Sequence, residues 1–349
     1  MEQTLNFRRK PYILSGYSIG GEKEGNGPLH EWFDFCLDDD TYGENTWEKA
    51  ESKMLKTSIT ECIRRADKDT DDIGAMLSGD LLNQLMSSSF MARDLRIPFL
   101  GIYGACSTMT ESLMLGAVLT DGKYSDNVVI GASSHYCTAE RQFRMPLEHA
   151  NQRPPSAQWT ATAAGAMLLS GESGIEETFA DKEGKIHNMK KVRIESGTIG
   201  KVIDAGVKDA NQMGSAMAPA AVDTLLNHLQ DTGRDLKYYD AVFTGDLGYI
   251  GKKIVADLLS DSGIDKDQIE RIYDDCGTMI YEPRQDVHSG GSGCGCSASV
   301  FAGYVYKKMK RGEINRALII STGALLSTIS PFQGESIPGI AHAISLETE

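Results

Sequence analysis

The stretch "YGACSTMTESLMLGAVLTDGKYSDNVVIGAS", residues 103–133, decides the fold because the chain repeats its pattern. It reads as a small-residue turn that holds a cysteine, then a helix, a glycine-containing turn and a buried strand. The stretch "GSGCGCSASVFAGYVYKKMKRGEINRALIISTGA", residues 291–324, has the same elements in the same order. The sequence therefore predicts two related halves.

Two pairs of residues place the repeat at one offset. Cys106 aligns with Cys296 and Gly122 with Gly312, each 190 residues apart (296 − 106 and 312 − 122). Earlier in each half, a predicted strand also ends in a similar motif, "SGDL" or "TGDL". Independent anchors at a common spacing indicate an internal duplication.

Hydrophobic periodicity predicts strands and helices in alternation in both halves. Predicted strands cover residues 13–18, 73–78, 99–102, 127–132, 165–170, 192–198, 241–244, 317–321 and 340–345. Predicted helices cover residues 46–66, 108–120, 218–230, 250–262 and 297–310. This alternation predicts an α/β fold with two βαβ-type sheets covered by helices. The halves are predicted at residues 1–190 and 191–349.

The helices at residues 108–120 and 297–310 carry Ala, Gly, Ser and Met where a surface helix has a polar face. Both are therefore predicted to lie buried between the sheets, in α-β-α-β-α layers. The Pro- and Gln-rich segment at residues 145–159 is predicted to be a surface excursion.

Charge excludes two classes of partner. The chain has 49 acidic and 35 basic residues, a formal net charge of −14, and the two signs are interspersed. This balance argues against a nucleic-acid partner and against direct adhesion to anionic lipid. The sequence shows no apolar run of membrane-spanning length and no secretory signal pattern. We therefore expect a cytoplasmic protein whose membrane role, if it has one, depends on protein partners.

The seven cysteines are an odd number without the spacing of a disulfide framework, which predicts free thiols in a reducing compartment. Cys294 and Cys296 are separated by one residue, closer than the usual zinc-binding pair, and no second pair follows. We therefore predict neither a metal site nor a cofactor there.

A duplicated α/β chain with a cysteine at the N-terminus of a buried central helix resembles the thiolase superfamily over nearly its whole length. "GACST" is similar to the nucleophile turn of that superfamily and "GGSGCGCSASV" to its second-half glycine-rich turn. "STGALLS" and "IAHAISL" are similar to its closing loop and last strand. The resemblance implies that Cys106 occupies the position of the nucleophile.

Longer blocks resemble one sporulation family within the superfamily: "SGDLLNQ", "YGACST", "SSHYCTAERQFR", "MGSAMAPAA" and "GGSGCGCSA". That resemblance implies a non-enzymatic protein that binds dipicolinic acid (pyridine-2,6-dicarboxylate), with or without calcium, during uptake into the developing spore. It also implies a cytoplasmic protein, held peripherally at the spore inner membrane by integral membrane proteins of the uptake complex. The superfamily implies a homodimer formed through the sheet edge of the first half.

Enzymes of the superfamily also need a base and oxyanion donors beside the cysteine. The resemblance places the first His and Asn of that set at Gly245 and Gly248, and the second His or Asn at Gly290 or Gly291. Loss of a base costs roughly 10² to 10⁴ in rate, and loss of one oxyanion donor on the order of 10² to 10³. We therefore expect binding without catalysis. The alternative is an acyl-transfer or condensing enzyme that uses Cys106 with a new base.

Three histidines are candidates for such a base. His135 follows a predicted strand and either faces the cysteine or is a loop residue hydrogen-bonded to backbone. His342 heads the last predicted strand, whose start is expected to approach the pocket. His288 precedes the glycine-rich turn, where an exposed loop position is the alternative.

Arg141 and Arg144 stand three residues apart and would share one face of a helical turn, presenting two planar guanidinium groups to an anion. The alternative is an Arg–Glu network that holds the loop. The backbone N–H groups of Ser107 and Thr108 are expected to point into the pocket at a helix N-terminus, where they would favour an anion. Cys106 itself is either part of this site or a small residue retained by packing.

The predicted ligand site consists of Cys106, Ser107, His135, Arg141, Arg144, Gly291 and His342. Asp80 and Asp246 end matched strands, so they either bind the calcium that accompanies dipicolinate or cap the turns that follow.

Overall fold

The fold is described from a computed structural model that covers residues 2–143, 153–180 and 184–349. Thr46 starts the first long helix because its hydroxyl accepts a hydrogen bond from the backbone N–H of Lys49. The elements of the first half are β1 (Thr4–Asn6), β2 (Tyr12–Gly20), α1 (Glu22–Gly25), β3 (Phe35–Cys36), α2 (Trp47–Arg65), β4 (Ala75–Gly79), α3 (Met86–Leu95), β5 (Phe99–Gly101), α4 (Thr108–Asp121), β6 (Asn127–Ser134), α5 (Tyr136–Phe143), β7 (Trp159–Thr160), β8 (Ala163–Ser170), β9 (Thr178–Ala180) and β10 (Ile186–Asn188).

The second half begins with a strand and a long helix, and the helix ends at Gly233, which adopts φ +64°. Its elements are β11 (Val192–Thr198), α6 (Met213–Thr232), β12 (Ala241–Thr244), α7 (Gly248–Asp261), α8 (Lys266–Ile272), β13 (Tyr273–Asp275), α9 (Cys276–Met279), β14 (Gly291–Ser292), α10 (Cys294–Val300), α11 (Tyr306–Lys310), β15 (Arg316–Ala324) and β16 (Gly339–Thr348). A π-helical turn, Phe301–Val305, joins α10 to α11.

The two halves have the same strand order. The first runs β5-β4-β6-β8-β2 and the second β13-β12-β15-β16-β11. In each, the first three strands are parallel and the last two pairings are antiparallel. This correspondence confirms the duplication that the sequence predicts.

The two groups of five strands are joined, whereas the sequence analysis expected separate sheets. β11 pairs with β2 through Val192 with Ile13 and Arg193 with Tyr12. These two residue pairs connect the groups into one twelve-stranded sheet that includes β1 and β3. The contact pairs strand edges that would otherwise be open.

Helices form three layers around these strands. α4 contacts β4 and β6 of its own half and β15 and β16 of the other, while α10 packs on β6 and β8. Every residue of α10 is buried. α2 packs on the first group of strands together with α3, and α6 packs on the second together with α7. The predicted burial of both central helices in an α-β-α-β-α arrangement is confirmed.

Three helices of seven or more residues, α3, α5 and α8, were not predicted from the sequence, nor were the one-turn helices α1 and α9 and strand β13. Within the part of the chain that the structure describes, none of the helices has both the length and the apolar character needed to cross a bilayer.

Candidate functional site

Cys106 lies in a tight turn between β5 and α4. Ala105, just before it, adopts φ +50°, a left-handed conformation that is unfavourable for a residue with a side chain. The carbonyl of Gly104 accepts hydrogen bonds from the N–H of Ser107 at 3.0 Å and from its hydroxyl at 2.7 Å. The turn therefore fixes the thiol at the start of the buried helix, as the sequence predicts.

The same hydrogen bonds contradict the expected anion site. The N–H of Ser107 donates to Gly104, and the N–H of Thr108 donates to the carbonyl of Ala105 at 3.3 Å. Both amides are therefore used within the turn and do not point into a cavity.

The carboxyl group of Asp246 lies near enough to the Cys106 thiol to raise its pKa. Asp246 is fully buried. Its Oδ2 accepts from the N–H of Gly293 at 2.9 Å and from the hydroxyl of Ser292 at 3.3 Å, and its Oδ1 accepts from the hydroxyl of Thr322 at 2.8 Å. The glycine-rich turn at Ser292 and Gly293 and the strand that contains Thr322 thus hold this carboxyl group in place.

This arrangement keeps the thiol protonated. Burial, reinforced by the Asp246 carboxyl, raises the pKa of Cys106 well above its ordinary value. Burial also raises the pKa of Asp246 to about 6. A nucleophilic cysteine needs the opposite environment, a nearby positive charge or a base that stabilises the thiolate. The surroundings of the Cys106 sulfur therefore favour the neutral thiol over the thiolate.

The candidate histidines lie elsewhere. His135 accepts a hydrogen bond from the N–H of Cys137 at Nδ1 (3.2 Å), so its ring proton is on Nε2, which donates to the carbonyl of Asp40 at 2.8 Å. His342 Nδ1 accepts from the N–H of Gly200 at 3.2 Å. Within residues 2–143, 153–180 and 184–349, no histidine lines the cavity at Cys106.

His288 is an exposed loop residue, which was the alternative to a role as the base. Its Nδ1 lies 2.8 Å from the carbonyl of Pro154 and its Nε2 lies 3.2 Å from Asp286.

Arg141 is also outside the cavity. Its guanidinium pairs with Glu48 and lies 5.8 Å from the ring centroid of Trp47, and 47% of its side chain is exposed. It belongs to an Arg–Glu network, although with a different glutamate from the one expected. Arg144 lies outside the described residues.

The positions at which the resemblance places catalytic His and Asn residues are closed. A Cβ atom at Gly245, Gly248 or Gly290 would lie 3.0, 2.1 and 2.6 Å from neighbouring backbone atoms, and Gly248 and Gly290 adopt φ +63° and +99°. A Cβ at Gly291 would lie 2.9 Å from the side chain of Ile280. No side chain fits at these positions without rearrangement, so the base is excluded by packing as well as by sequence.

Gly291 contributes backbone to the site. It lies in β14, which pairs in parallel with β7 through Gly291 and Trp159. Its carbonyl accepts a hydrogen bond from Nε2 of Gln158 at 2.8 Å, and the same nitrogen donates to the carbonyl of Asp246 at 2.6 Å.

Gln158 is a site residue that the sequence analysis missed. It lies at the end of the segment predicted to be a surface excursion, yet Ala157 and Gln158 are buried. Polar composition gave no signal for this position, because its role is to connect two turns more than eighty residues away in sequence. The rest of the predicted excursion includes residues outside the described ranges.

A cavity of about 50 Å³ opens at Cys106. Its wall is mostly apolar and, in the described part of the chain, contains no Lys, Arg or His; the charged residue in it is Glu140. A cavity that holds a benzene-sized ligand measures about 150 Å³. The lining residues are Leu81, Tyr103, Ala105, Cys106, Ala139, Glu140, Phe143, Thr160, Ala210, Met213, Ser292, Ala324 and Leu326.

The matched aspartates have different roles. Asp80 caps the turn that follows its strand, which was one of the two alternatives for this residue. Its carboxylate accepts hydrogen bonds from the N–H groups of Leu82 and Ser88 at 2.8 and 2.7 Å. Asp246 does not cap α7; Asp275 does, accepting from the N–H groups of Leu247 and Gly248 at 2.9 Å each. Among the residues described, no group of three or more His, Cys, Asp or Glu side chains is placed to hold a metal ion.

Comparison with known proteins identifies the family. The profile of the family described as stage V sporulation protein AD (SpoVAD) matches residues 1–347. Stage V sporulation protein AD of Bacillus subtilis (strain 168) is 39% identical over 346 residues, which cover 99% of this chain and 97% of that protein. The chain belongs to the SpoVAD family. The resemblance to a sporulation family is confirmed.

Solved structures confirm the thiolase-like fold of this SpoVAD family member. 3-Oxoacyl-[acyl-carrier-protein] synthase III from Aquifex aeolicus VF5 aligns with a TM-score of 0.56 at 11% identity, covering 97% of this chain and 99% of that one. Two OleA variants from Xanthomonas campestris align with TM-scores of 0.62 and 0.60 at 11% and 10% identity. Each alignment covers 98% of this chain, and 98% and 99% of the OleA chains. At such identities the likeness shows the fold alone.

Buried carboxyl groups make the stability of the chain dependent on pH. Burial raises the pKa of Glu24 and Asp275 to about 7 and that of Glu51 to about 8. A carboxyl whose pKa is higher in the folded chain binds more protons when folded, so stability falls as pH rises towards that folded pKa. Burial lowers the pKa of His228 and His342 from 6.5 to about 4. Between these two values the histidines make stability rise with pH, opposite to the effect of the carboxyls. Above the higher of these values the carboxyls dominate.

We therefore expect the free energy of unfolding, measured by urea titration, to fall by about 1 to 3 kcal/mol between about pH 6.5 and about pH 8. Asp275→Asn should make this dependence shallower, because it removes one of the titrating groups. Stability that is constant or rises over this interval would contradict the assignment.

Proposed function

We propose that the chain is a non-enzymatic binding protein for dipicolinic acid, acting in its uptake into the developing spore. Membership of the SpoVAD family ties the chain to sporulation. The observation that carries the proposal is the environment of Cys106: burial and the Asp246 carboxyl raise the pKa of its thiol, and the described lining of its cavity contains no His, Lys or Arg. Such a site can enclose a small acid but has no positive charge to stabilise a thiolate.

The charges at the cavity favour the calcium chelate over the free dianion. Asp246 lies behind the sulfur and Glu140 lies in the wall, while the described lining contains no cationic side chain. A bare dicarboxylate would enter a low-dielectric site next to like charges, which is unfavourable. In the chelate, calcium neutralises the two carboxylates, and the pyridine ring can pack against the apolar and aromatic wall.

Entry requires side chains at the mouth of the cavity to move. Tyr103, Phe143 and Leu326 line the cavity of about 50 Å³ and also line an adjoining surface groove of about 350 Å³. Displacing these three side chains joins the two spaces, and the combined volume reaches the range of small-molecule sites, about 300 to 1,000 Å³. Tyr103 is 48% exposed, so it can swing outward.

Isothermal titration calorimetry tests the proposal with three ligands: dipicolinate with calcium, dipicolinate with a chelator, and benzoate. We expect saturable heat with the first, weaker binding with the second and none with benzoate. Tyr103→Ala should weaken binding by about tenfold because the displaced Tyr103 ring would pack against the bound pyridine ring, while Tyr124→Ala, at an 80% exposed position, should not. Equal heats for all three ligands, or none at all, would overturn the proposal.

The same proposal predicts the outcome of a covalent assay. After incubation with acetyl-CoA, the mass of the peptide containing Cys106 should be unchanged, since the thiol is protonated and lacks a base. An acetyl adduct on Cys106 would favour an acyl-transfer enzyme instead.

We propose further that the chain forms a homodimer through β5, the last strand of the sheet in the first half. Leu100 in this edge strand is 52% exposed. Leu100→Glu should convert a dimer into a monomer in light scattering because like charges would face each other across the paired edges. Ile186→Glu, at a 71% exposed position on the separate β9–β10 hairpin, is the control. A wild-type monomer, or a dimer that persists in Leu100→Glu, would contradict this arrangement.

We also propose that the protein is cytoplasmic and reaches the spore inner membrane through integral membrane partners. Its net charge of −14 opposes direct binding to anionic lipid. In flotation with anionic phospholipid vesicles the purified chain should stay with the unbound fraction. Flotation with the bare vesicles would show that protein partners are unnecessary.

A further inference from the structure

A second cavity, of about 420 Å³, lies next to strand β7 and shares no lining residue with the cavity at Cys106. Thr160 lines the first cavity and its neighbour Trp159 lines the second. Adjacent residues of a strand point to opposite faces, so the two cavities lie on opposite sides of β7.

The wall of the second cavity contains an aromatic stack and Lys23, and a second cation, Arg153, lies against the same stack. The rings of Tyr136 and Trp159 are parallel within 8°, with centroids 3.7 Å apart. Nζ of Lys23 lies 3.9 Å from the centroid of the Trp159 ring, and the guanidinium carbon of Arg153 lies 4.8 Å from it. Because Tyr136 covers one face of the indole, both cations share the other face.

The cations have donors to spare. Only 8% of the Arg153 side chain is exposed; its Nη2 donates to Asp286, while its buried Nη1 has no hydrogen-bond partner among the residues described. Lys23 donates one hydrogen bond, to the carbonyl of Gln285 at 2.7 Å, and an ammonium group has three donors. Burial, and then the neighbouring charge of Arg153, lowers the pKa of Lys23. Two neighbouring cations with unused donors favour an anion beside them.

A buried carboxyl group with an unused hydrogen-bond acceptor also lines the cavity. Glu24 is 1% exposed, and its Oε1 accepts hydrogen bonds from the N–H of Thr162 and the hydroxyl of Tyr281. Its Oε2 is buried and, in the described ranges of the chain, has no hydrogen-bond partner. The exposed carboxylates of Glu22 and Asp40 line the cavity as well. One part of the cavity therefore suits an anion and another a cation.

We propose that this cavity binds a small zwitterion of the α-amino-acid type, with its carboxylate on Lys23, where the neighbouring charge of Arg153 adds to the attraction, and its ammonium group on Glu24. The two opposite charges of such a ligand would satisfy the unused donors of Lys23 and the free acceptor of Glu24 together. Its side chain would lie beside Trp159. The volume of about 420 Å³ accommodates a molecule of this size. This site is separate from the proposed dipicolinate site.

A ligand comparison on the unaltered chain tests the proposal. The twenty L-α-amino acids are screened for thermal stabilisation of the full chain, and the strongest is titrated beside its methyl ester, which lacks the carboxylate, and its α-hydroxy acid, which lacks the ammonium group. We expect saturable binding of at least one amino acid and binding weaker by about tenfold or more for both analogues. Absence of saturable binding, or equal affinity for the analogues, would overturn the proposal.

Variants locate the binding within the chain. Lys23→Met should weaken binding of the amino acid by about tenfold. Lys308→Met is the matched control, because the ammonium group of Lys308 also lies over a tryptophan ring, at 5.6 Å from the centroid of Trp32. Equal losses in both variants would contradict the site.

The two proposed sites can fail separately. Lys23→Met should leave the calorimetric heat of dipicolinate unchanged, and Tyr103→Ala should leave the binding of the amino acid unchanged. Loss of dipicolinate binding in Lys23→Met would assign dipicolinate to this second cavity and would overturn the zwitterion assignment.

Discussion

Gly248→Ala should lower the free energy of unfolding by about 3 kcal/mol or more. Gly248 adopts φ +63°, and a Cβ atom there would lie 2.1 Å from the carbonyl oxygen of Ser289. A left-handed conformation costs a residue with a side chain about 1 to 3 kcal/mol, and forcing an atom into packed backbone costs about 1 to 3 kcal/mol more. Urea unfolding measures the sum.

Gly233→Ala separates these two costs. Gly233 adopts nearly the same backbone conformation, φ +64°, but nothing lies within 4 Å of the position of its Cβ. Its substitution should therefore cost about 1 kcal/mol. If Gly248→Ala were no more destabilising than Gly233→Ala, the packing against Ser289 would not exist, and the vacated catalytic position would be open to a side chain.

The comparison of Gly248→Ala with Gly233→Ala bears on function because it shows whether the surrounding backbone leaves space for a side chain at position 248. The thiolase resemblance places the asparagine of the catalytic set at Gly248. If the position is closed, a single substitution there cannot restore the missing group.

Asp246→Ala should be similarly destabilising, by about 3 kcal/mol or more. The substitution leaves the buried N–H of Gly293 and the hydroxyl of Thr322 without their acceptor, and each unsatisfied buried group costs about 1 to 3 kcal/mol. Asp240→Ala is the control, because Asp240 accepts two backbone N–H groups at an exposed position. There water replaces the lost acceptor, so the cost should be at most about 1 kcal/mol. Equal losses would show that Asp246 is not the buried acceptor of the site.

Asp246→Asn probes the charge rather than the packing. Without the carboxylate, the pKa of Cys106 should fall, and alkylation of Cys106 by iodoacetamide should become faster. The increase should be limited, because burial is the larger cause of the raised pKa and remains in the variant. An unchanged alkylation rate would show that Asp246 does not influence the sulfur.

Much of the fold followed from local pattern. The offset between Cys106 and Cys296 predicted a duplication, and nine of the ten strands in the two groups of five lie where hydrophobic periodicity placed them, with ends shifted by a few residues. Strand β13 and the short helices α3, α5 and α8 were missed because their patterns extend over too few residues to stand out. The edge contact between β11 and β2 involves two residue pairs and leaves no pattern in either strand.

The site was less predictable because its contacts are long-range. Asp80 and Asp246 end equivalent strands in similar motifs, yet only Asp80 caps the turn that follows. In the second half Asp275, from the neighbouring strand β13, takes the capping role, and Asp246 accepts from the turns around Cys106 instead. The equivalent strand in the first half, β5, has no acidic residue. A motif alone could not show this exchange.

Contacts with distant parts of the chain also decided the roles of the residues that were proposed for the ligand site because of their chemistry. His135 and Arg141 have the right chemistry for an anion site, but backbone carbonyls and a nearby glutamate already occupy them. Gln158, which does connect the site, lies in a segment whose composition suggested a surface loop. Burial decided each case, and burial depends on the whole fold.

A crystal structure of the protein with dipicolinate and calcium tests the central claim most directly. We expect the chelate beside Cys106, with Tyr103 displaced and the sulfur covalently unmodified. A ligand bound elsewhere, with the space at Cys106 still closed, would contradict it.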